Sequence, residues 1–190
     1  MIVVLVGESG SGKSTIEKLI EERYPSFSKI VAYTTRPPRA GETDGVDYHF
    51  ITDEKFDVMK RNGQFLETAE YRGWHYGSAI MDYCDSKNHI AVLTPHGYRS
   101  LKTRFSPVCI YFDVDRRSRL IKLLERGDDI DEAYRRSISD VGQFDGFADE
   151  ADYVIKNPNY KKSIDEVFKS VSAIIDFHLW LKQKNTTEAQ

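Results

Sequence analysis

Cysteine is scarce in this sequence. The two cysteines, Cys84 and Cys109, form no Cys-x-x-Cys pair, which argues against a disulfide framework and against a zinc site. Long apolar runs are also missing, because the N-terminal run Met1–Val6 is too short for a signal peptide and nothing approaches a membrane span. We therefore expect two reduced thiols in a cytoplasmic protein that has no membrane partner.

A basic excess is missing as well. The 190 residues carry a formal net charge of -3, whereas general binders of nucleic acid or of membrane surfaces need an excess of lysine and arginine. The length is sufficient to bury a core without disulfides or structural metals. We expect one domain with small insertions and no nucleic-acid partner, and the composition leaves open whether it is a monomer or a homodimer.

A phosphate-binding loop is the strongest motif. Residues 7–14 read GESGSGKS, which has the spacing Gly-x4-Gly-Lys-Ser. A β-branched run, Ile2–Val6, precedes the motif, and a helical pattern, Thr15–Glu22, follows it. The glycines let successive N–H groups point at phosphate oxygens, Lys13 reaches the β- and γ-phosphates, and Ser14 offers a hydroxyl to Mg²⁺. We expect the loop to bind ATP or GTP through Gly7, Ser9, Gly10, Ser11, Gly12, Lys13, Ser14 and Thr15.

The remaining pattern predicts an α/β fold. Further apolar runs at 90–93, 108–112 and 153–155 alternate with helical patterns at 118–125 and 161–182. Such alternation is typical of a three-layer parallel sheet with helices on both faces. We expect a P-loop kinase core at 1–33 and 79–184, a small mixed α/β insertion at 34–78 with one helix at 54–61, a lid near 126–136 with a mobile loop at 126–132, and a frayed tail at 185–190.

Two further blocks identify a family. Residues 34–50 read TTRPPRAGETDGVDYHF and residues 65–78 read FLETAEYRGWHYGS. Here the sequence resembles the guanylate kinase family, whose string Thr-Thr-Arg-x-Pro-Arg-x-Gly-Glu-x-x-Gly-x-Asp-Tyr-x-Phe is present in full. The resemblance covers most of the chain. It implies ATP- and Mg²⁺-dependent phosphorylation of GMP or dGMP to the diphosphate.

The resemblance also implies an acceptor site. It assigns the phosphate of the nucleoside monophosphate to Arg36, Arg39, Tyr48 and Tyr76. It assigns the base to Glu67 with help from Ser78, and Thr94 is a further candidate GMP contact. The assignment of Glu67 is chemically reasonable, because guanine presents N1–H and an N2 amino group that one carboxylate accepts together, whereas adenine presents an N1 acceptor that a carboxylate repels.

Arginines near the lid complete the predicted site. The resemblance implies that they hold triphosphate oxygens, and we expect this of Arg126 and Arg136, although the spacing does not choose firmly between Arg135 and Arg136. Asn157 lies where the family often contacts adenine, but a turn asparagine before a proline equally explains it. The residues expected to be catalytic are Lys13, Arg36 and Arg136.

Several positions depart from the family pattern. Ala32 stands where a serine is usual, and the usual Asp-x-Asp at the end of the third core strand is replaced by Val92-Leu93-Thr94. Asp113 and Asp115 end the next strand, and Asp115 is as easily a helix N-cap. Two alternatives therefore stay open: a kinase of another nucleoside monophosphate, and a binding module without catalysis. The intact Lys13 counts against the second alternative.

Overall fold

The computed structural model describes residues 1–39, 41–84 and 86–188, with the backbone alone at positions 71, 186 and 188. Ala40, which belongs to the block at 34–50, and the last two residues of the predicted tail lie outside the described residues. The strands, in chain order, are β1 (Ile2–Val6), β2 (Phe27–Lys29), β3 (Tyr33–Thr34), β4 (His49–Phe50), β5 (Phe65–Tyr71), β6 (Trp74–Ala79), β7 (Asn88–Leu93), β8 (Val108–Asp113) and β9 (Tyr153–Lys156). The α-helices are α1 (Lys13–Arg23), α2 (Asp53–Arg61), α3 (Pro95–Lys102), α4 (Arg116–Glu125), α5 (Ile130–Ser139) and α6 (Ile164–Glu188).

A five-stranded parallel sheet forms the core. Its strand order is β2-β7-β1-β8-β9, which places β1 at the centre. Every residue of β1 is buried, as expected for a strand covered on both faces. Val3 and Leu5 pack with residues of α1 and α6, whereas Val4 and Val6 pack with residues of α3. The predicted three-layer α/β fold class is therefore confirmed.

A second, mixed sheet lies in the insertion. Its order is β4-β3-β6-β5, in which β3 pairs in parallel with β4 and β6 pairs antiparallel with both β3 and β5. Helix α2 begins at Asp53, where Thr52 caps it by accepting a hydrogen bond from Lys55 N. Phe56 of this helix is buried and stacks on Phe65 of β5.

The structure corrects two local predictions and adds a helix that the sequence analysis did not predict. The segment predicted as a loop at 126–132 is helical from Ile130, because the Asp129 carboxylate caps α5 by accepting from Glu132 N. Helix α3 was not predicted, and it begins directly after β7 with Thr94 as its N-cap. Helix α6 continues beyond the predicted end, to Glu188. In the described part of the chain, no helix combines the length and the apolar character that crossing a membrane requires.

Candidate nucleotide site

The phosphate loop connects β1 to α1 and needs glycine at particular points. Gly12, the N-cap of α1, has a φ of 93°, in the left-handed region that favours glycine. Gly10 has a φ of 83°, and a Cβ atom placed on it would lie 2.7 Å from the carbonyl oxygen of Arg119. The hydroxyl of Tyr160 donates to the carbonyl oxygen of Gly10. The loop is thus held closely by α4 and by the segment that follows β9.

Lys13 is folded back onto this loop. Its Nζ donates to the carbonyl oxygens of Gly7 at 2.6 Å and Glu8 at 2.9 Å, and it lies 3.3 Å from Oγ of Ser11. Burial lowers the pKa of Lys13 to about 8, against the opposing effect of nearby carboxylates. Phosphate oxygens carry a negative charge and would therefore be stronger partners for this ammonium group than the two carbonyl oxygens.

A buried ion-pair network supports the loop from behind. Arg119 is 5% exposed. Its Nη2 lies 3.1 Å from Oε1 of Glu8, and its Nη1 lies 3.8 Å from Oδ2 of Asp140. It also donates to the carbonyl oxygens of Val114 and Ser9. The Asp140 carboxylate in turn accepts from Ser9 N at 2.7 Å. Arg119 therefore shapes the phosphate loop.

The predicted acceptor-phosphate residues come together in the insertion. Both terminal nitrogens of Arg36 donate to the Glu42 carboxylate, at 2.9 and 2.8 Å, and the backbone N–H of Arg39 donates to the same carboxylate at 2.7 Å. The guanidinium of Arg36 lies 5.5 Å from the ring centroid of Tyr48, which packs edge-on against Tyr76 at 6.0 Å. Burial raises the pKa of Tyr48, so its phenol remains a hydrogen-bond donor.

Glu67 and Ser78 face each other on β5 and β6. Burial raises the pKa of the Glu67 carboxyl, and the hydrogen bond from Ser78 acts in the opposite direction. The hydroxyl of Thr94 caps α3 by accepting from Gly97 N at 3.1 Å. A Cβ atom on Gly97 would lie 3.2 Å from Cγ of Glu67, so the first turn of α3 closely approaches this carboxylate.

The lid residues are also paired with carboxylates. Arg126 forms an ion pair with Asp128, and Nη1 of Arg136 lies 3.7 Å from the same carboxylate. Nε of Arg136 donates to Oε1 of Glu132 at 3.0 Å. The side chain of Arg135 is 48% exposed and that of Arg136 is 27% exposed, so Arg136 is the more enclosed of the two.

One cavity of about 1070 Å³, here called the acceptor cleft, brings the residues predicted for the acceptor phosphate together with Glu67 and the lid arginines. The predicted site residues that line it are Ser9, Arg36, Arg39, Tyr48, Glu67, Tyr76, Thr94, Arg126 and Arg136, and it also borders Ala32 and Val92. A smaller cavity of about 310 Å³ is lined by the phosphate-loop residues 10–15. The acceptor cleft therefore joins the insertion, the end of β7, the lid and the phosphate loop.

Asn157 lies outside the acceptor cleft. It lines a neighbouring cavity of about 640 Å³ together with Ser11 and Tyr160. Its side-chain amide donates to the carbonyl oxygen of Lys162 and accepts from Lys162 N, which closes the loop after β9. A base contact from Asn157 stays a prediction. Asp115 acts as the N-cap of α4, accepting from Ser118 N at 3.0 Å.

Ser14 is the candidate metal-binding residue. It is exposed in the first turn of α1, in the cavity lined by the phosphate loop. Among the residues that the structure describes, no group of three or more His, Cys, Asp and Glu side chains could hold a metal ion. A hydroxyl oxygen suits Mg²⁺, which commonly takes few protein ligands and completes its shell with water and phosphate oxygens.

Comparison with known proteins decides the family. A sequence profile described as guanylate kinase matches residues 1–176. The guanylate kinase of Chlorobium luteolum is 33% identical over 178 residues, covering 90% of each chain. This chain belongs to the guanylate kinase family. The members are nucleoside monophosphate kinases, which are transferases that act on nucleotides.

Two further comparisons also match guanylate kinases. The guanylate kinase of a Nostoc species is 30% identical over 172 residues, covering 87% of this chain and 86% of its own. The crystal structure of guanylate kinase from Anaplasma phagocytophilum superposes with a TM-score of 0.66 at 25% identity, covering 93% of this chain and 85% of that one.

Sequence reasoning missed the carboxylates that pair with the arginines. Glu42 stands inside the motif string of the guanylate kinase family, and the need of a buried arginine for a counter-charge could have identified it. Asp128 and Glu132 lie in the segment predicted as a loop, where spacing alone gives no partner. Asp140 pairs with residues far away in sequence, and no local pattern signals that contact.

Proposed function

We propose that this chain transfers the γ-phosphoryl group of ATP to GMP or dGMP. The observation that carries the proposal is the acceptor cleft. It presents a carboxylate, Glu67, that can accept the two adjacent N–H donors of guanine. On its wall it presents Arg36 within a cluster of two tyrosine rings, a set that recognises phosphate. A base-reading carboxylate and a phosphate-binding cluster that line the same cleft are the two features that a nucleoside monophosphate requires.

The donor would bind at the phosphate loop. Lys13 would exchange its contacts with the carbonyl oxygens of Gly7 and Glu8 for phosphate oxygens, and the start of α1 would add its positive dipole. Ser14 is the residue that would hold Mg²⁺. When bound, this ion neutralises charge on the triphosphate.

Catalysis would consist of positioning and charge neutralisation. The acceptor is an anionic phosphate oxygen, so no strong general base is needed. Arg36 would exchange Glu42 for the acceptor phosphate, and Arg126 and Arg136 would exchange Asp128 for triphosphate oxygens as the lid closes. In this mechanism a carboxylate holds and neutralises each arginine side chain until a phosphate group takes the place of that carboxylate.

Another nucleoside monophosphate is the second candidate acceptor. Ala32 and Val92 line the cleft and provide no side-chain hydrogen bond to a base, so Glu67 would read guanine with little support. A binding module without catalysis is a third possibility, and the intact phosphate loop disfavours it.

Formation of ADP from MgATP and GMP tests the proposal. We expect steady turnover by the wild-type chain, near-complete loss in Lys13→Ala, and wild-type rates in Lys18→Ala, an exposed lysine on the same helix. Absence of ADP with every nucleoside monophosphate, while GMP still binds, would establish the binding module instead.

A further inference from the structure

One carboxylate in the acceptor cleft faces arginines from two parts of the fold. Glu132, in the first turn of α5, is 9% exposed. Its Oε1 accepts from Nε of Arg136 at 3.0 Å, and its Oε2 lies 2.8 Å from Nη1 of Arg72. Nη2 of Arg135 lies 3.6 Å from the same Oε2. Three guanidinium groups thus share one buried counter-charge.

Arg72 reaches Glu132 from the insertion. It stands at the tip of the hairpin between β5 and β6, in a two-residue turn with Gly73. The φ angles of Arg72 and Gly73 are 58° and 73°, as the favoured type I′ turn requires of both central residues. A non-glycine residue at positive φ is uncommon. Because the turn has only two residues, it fixes the backbone of Arg72 and so the side of the hairpin from which this arginine projects. The pair therefore spans the cleft between the insertion and the lid.

We propose that Arg72 and Glu132 form a closure contact that positions Arg136 for phosphoryl transfer. The inference rests on the proposed function, because it assigns a role to Arg136 within that reaction. Glu132 holds Arg136 through Nε, so both terminal nitrogens of this guanidinium can turn to phosphate oxygens once Nη1 exchanges its ion pair with Asp128. Arg72 lies in the insertion and Glu132 in the lid, so their contact links the position of the insertion over the acceptor to the orientation of the lid arginine.

The charges predict an order of effects. Without the Glu132 carboxylate, three positive groups converge with no shared counter-charge, so Arg136 loses its position and the insertion is repelled from the lid. Without Arg72, Glu132 remains paired with Arg136 and Arg135, and only the link to the insertion is lost. Removal of Glu132 should therefore do more harm than removal of Arg72, and the two changes should not act independently.

A double-mutant cycle on the wild-type reaction tests the contact. Initial rates are measured for Arg72→Ala, Glu132→Gln and the double variant, with whichever monophosphate the wild-type chain phosphorylates, so that a wrong acceptor assignment and a wrong closure contact give different results. We expect kcat to fall about fivefold in Arg72→Ala and about thirtyfold in Glu132→Gln, with the KM for ATP nearly unchanged in Arg72→Ala and raised in Glu132→Gln, where Arg136 loses its position. The double variant should be no slower than Glu132→Gln alone.

Matched controls separate closure from folding. Asp131→Asn and Arg61→Ala alter exposed charges on α5 and on the insertion, and both should retain wild-type rates. Arg72→Lys should recover part of the loss, since it restores the charge without the planar fork. If Glu132→Gln fails to fold, the kcat values of Arg72→Ala and Arg72→Lys, compared with the wild type, test the proposal.

A binding readout completes the experiment. Trp74 follows the hairpin turn directly, and in a Trp180→Phe background its fluorescence reports on the hairpin alone. Saturating nucleotides should change this signal in the background protein and change it less in Arg72→Ala. Wild-type kcat in Arg72→Ala, or a double variant whose loss equals the product of the two single losses, would overturn the proposal.

Discussion

The hydroxyl of Ser78 donates a hydrogen bond of 3.0 Å to Oε1 of Glu67, across the pair of strands β5 and β6. Ser78 is 2% exposed, so its hydroxyl is held in the interior of the insertion. The bond favours the ionised form of a carboxyl whose pKa burial raises. It also orients the carboxylate, and because each carboxylate oxygen has two lone pairs, both oxygens can still accept a donor in the acceptor cleft.

Replacement of the Glu67 carboxylate should damage base recognition selectively. In Glu67→Gln the side chain places an N–H₂ group against the donors of guanine, so kcat/KM for GMP should fall by about a hundredfold or more. Steady-state rates with GMP give this value, and Glu70→Gln on the same strand is a control at an exposed position. A loss confined to the KM for ATP would contradict the assignment.

The acceptor affinity should also depend on pH. Only the ionised Glu67 carboxylate accepts both guanine donors, and burial raises its pKa, so GMP binding should weaken as the pH falls through that raised value. Ser78→Ala removes a bond that lowers this pKa and should move the loss of binding to higher pH. Titrations of GMP binding at a series of pH values test both statements. Equal pH profiles for the wild type and Ser78→Ala would contradict them.

Binding of the acceptor phosphate should require the planar guanidinium group of Arg36. Its two terminal nitrogens donate to both oxygens of Glu42, a geometry that matches a phosphate group and that lysine cannot reproduce. Arg36→Lys should therefore raise the KM for GMP by about tenfold or more, with little change in the KM for ATP. Arg61→Lys is the matched control on the exposed end of α2. Equal effects on both KM values would show that Arg36 does not act on the acceptor.

Triphosphate binding should weaken at alkaline pH. Lys13 has a pKa of about 8 without nucleotide, and bound phosphates favour its charged form. The protonated state is present below that pKa and is lost above it, so the dissociation constant for ATP should rise by up to about tenfold for each pH unit above 8. Binding measured by calorimetry between pH 6 and pH 10 reveals the break. A flat profile would mean that Lys13 does not contact the phosphates.

The buried network behind the loop should contribute to stability. Arg119→Met leaves Glu8 and Asp140 without their shared counter-charge, and breaking a buried pair in this way costs about 3 kcal/mol of unfolding free energy. Urea denaturation measures the loss, and ATP affinity should fall as well because the loop loses its support. Arg117→Met, an exposed neighbour on α4, should change neither quantity. Unaltered stability in Arg119→Met would refute this role.

Apolar runs and helical spacing in the sequence predicted the central strand and the helices that pack on it. The run Ile2–Val6 is apolar at every position, and a strand buried on both faces needs that composition. The helical spacing in α1 and α6 follows directly from the residues that pack on Val3 and Leu5. The roles predicted for Glu67 and Arg36 come from the motif blocks shared with the guanylate kinase family, and they stay predictions.

Other features depend on distant contacts and could not be predicted in this way. The strands β2 and β3 have only three and two residues, too few for a periodic pattern to identify, and their pairing with β7 and β6 defines them. Helix α3 begins with Pro95, and only the cap from Thr94 reveals that a helix starts there. The links between Asp140 and Ser9, and between Arg72 and Glu132, join residues far apart in the chain.

The substrate profile tests the central claim most directly. ADP formation from MgATP is measured with GMP, dGMP, AMP, UMP, TMP and CMP at equal concentrations, for the wild-type chain and for Glu67→Gln. We predict turnover of GMP or dGMP far above that of every other acceptor, and loss of this preference in Glu67→Gln. Clear turnover of a non-guanine monophosphate with none for GMP and dGMP would contradict the proposed function.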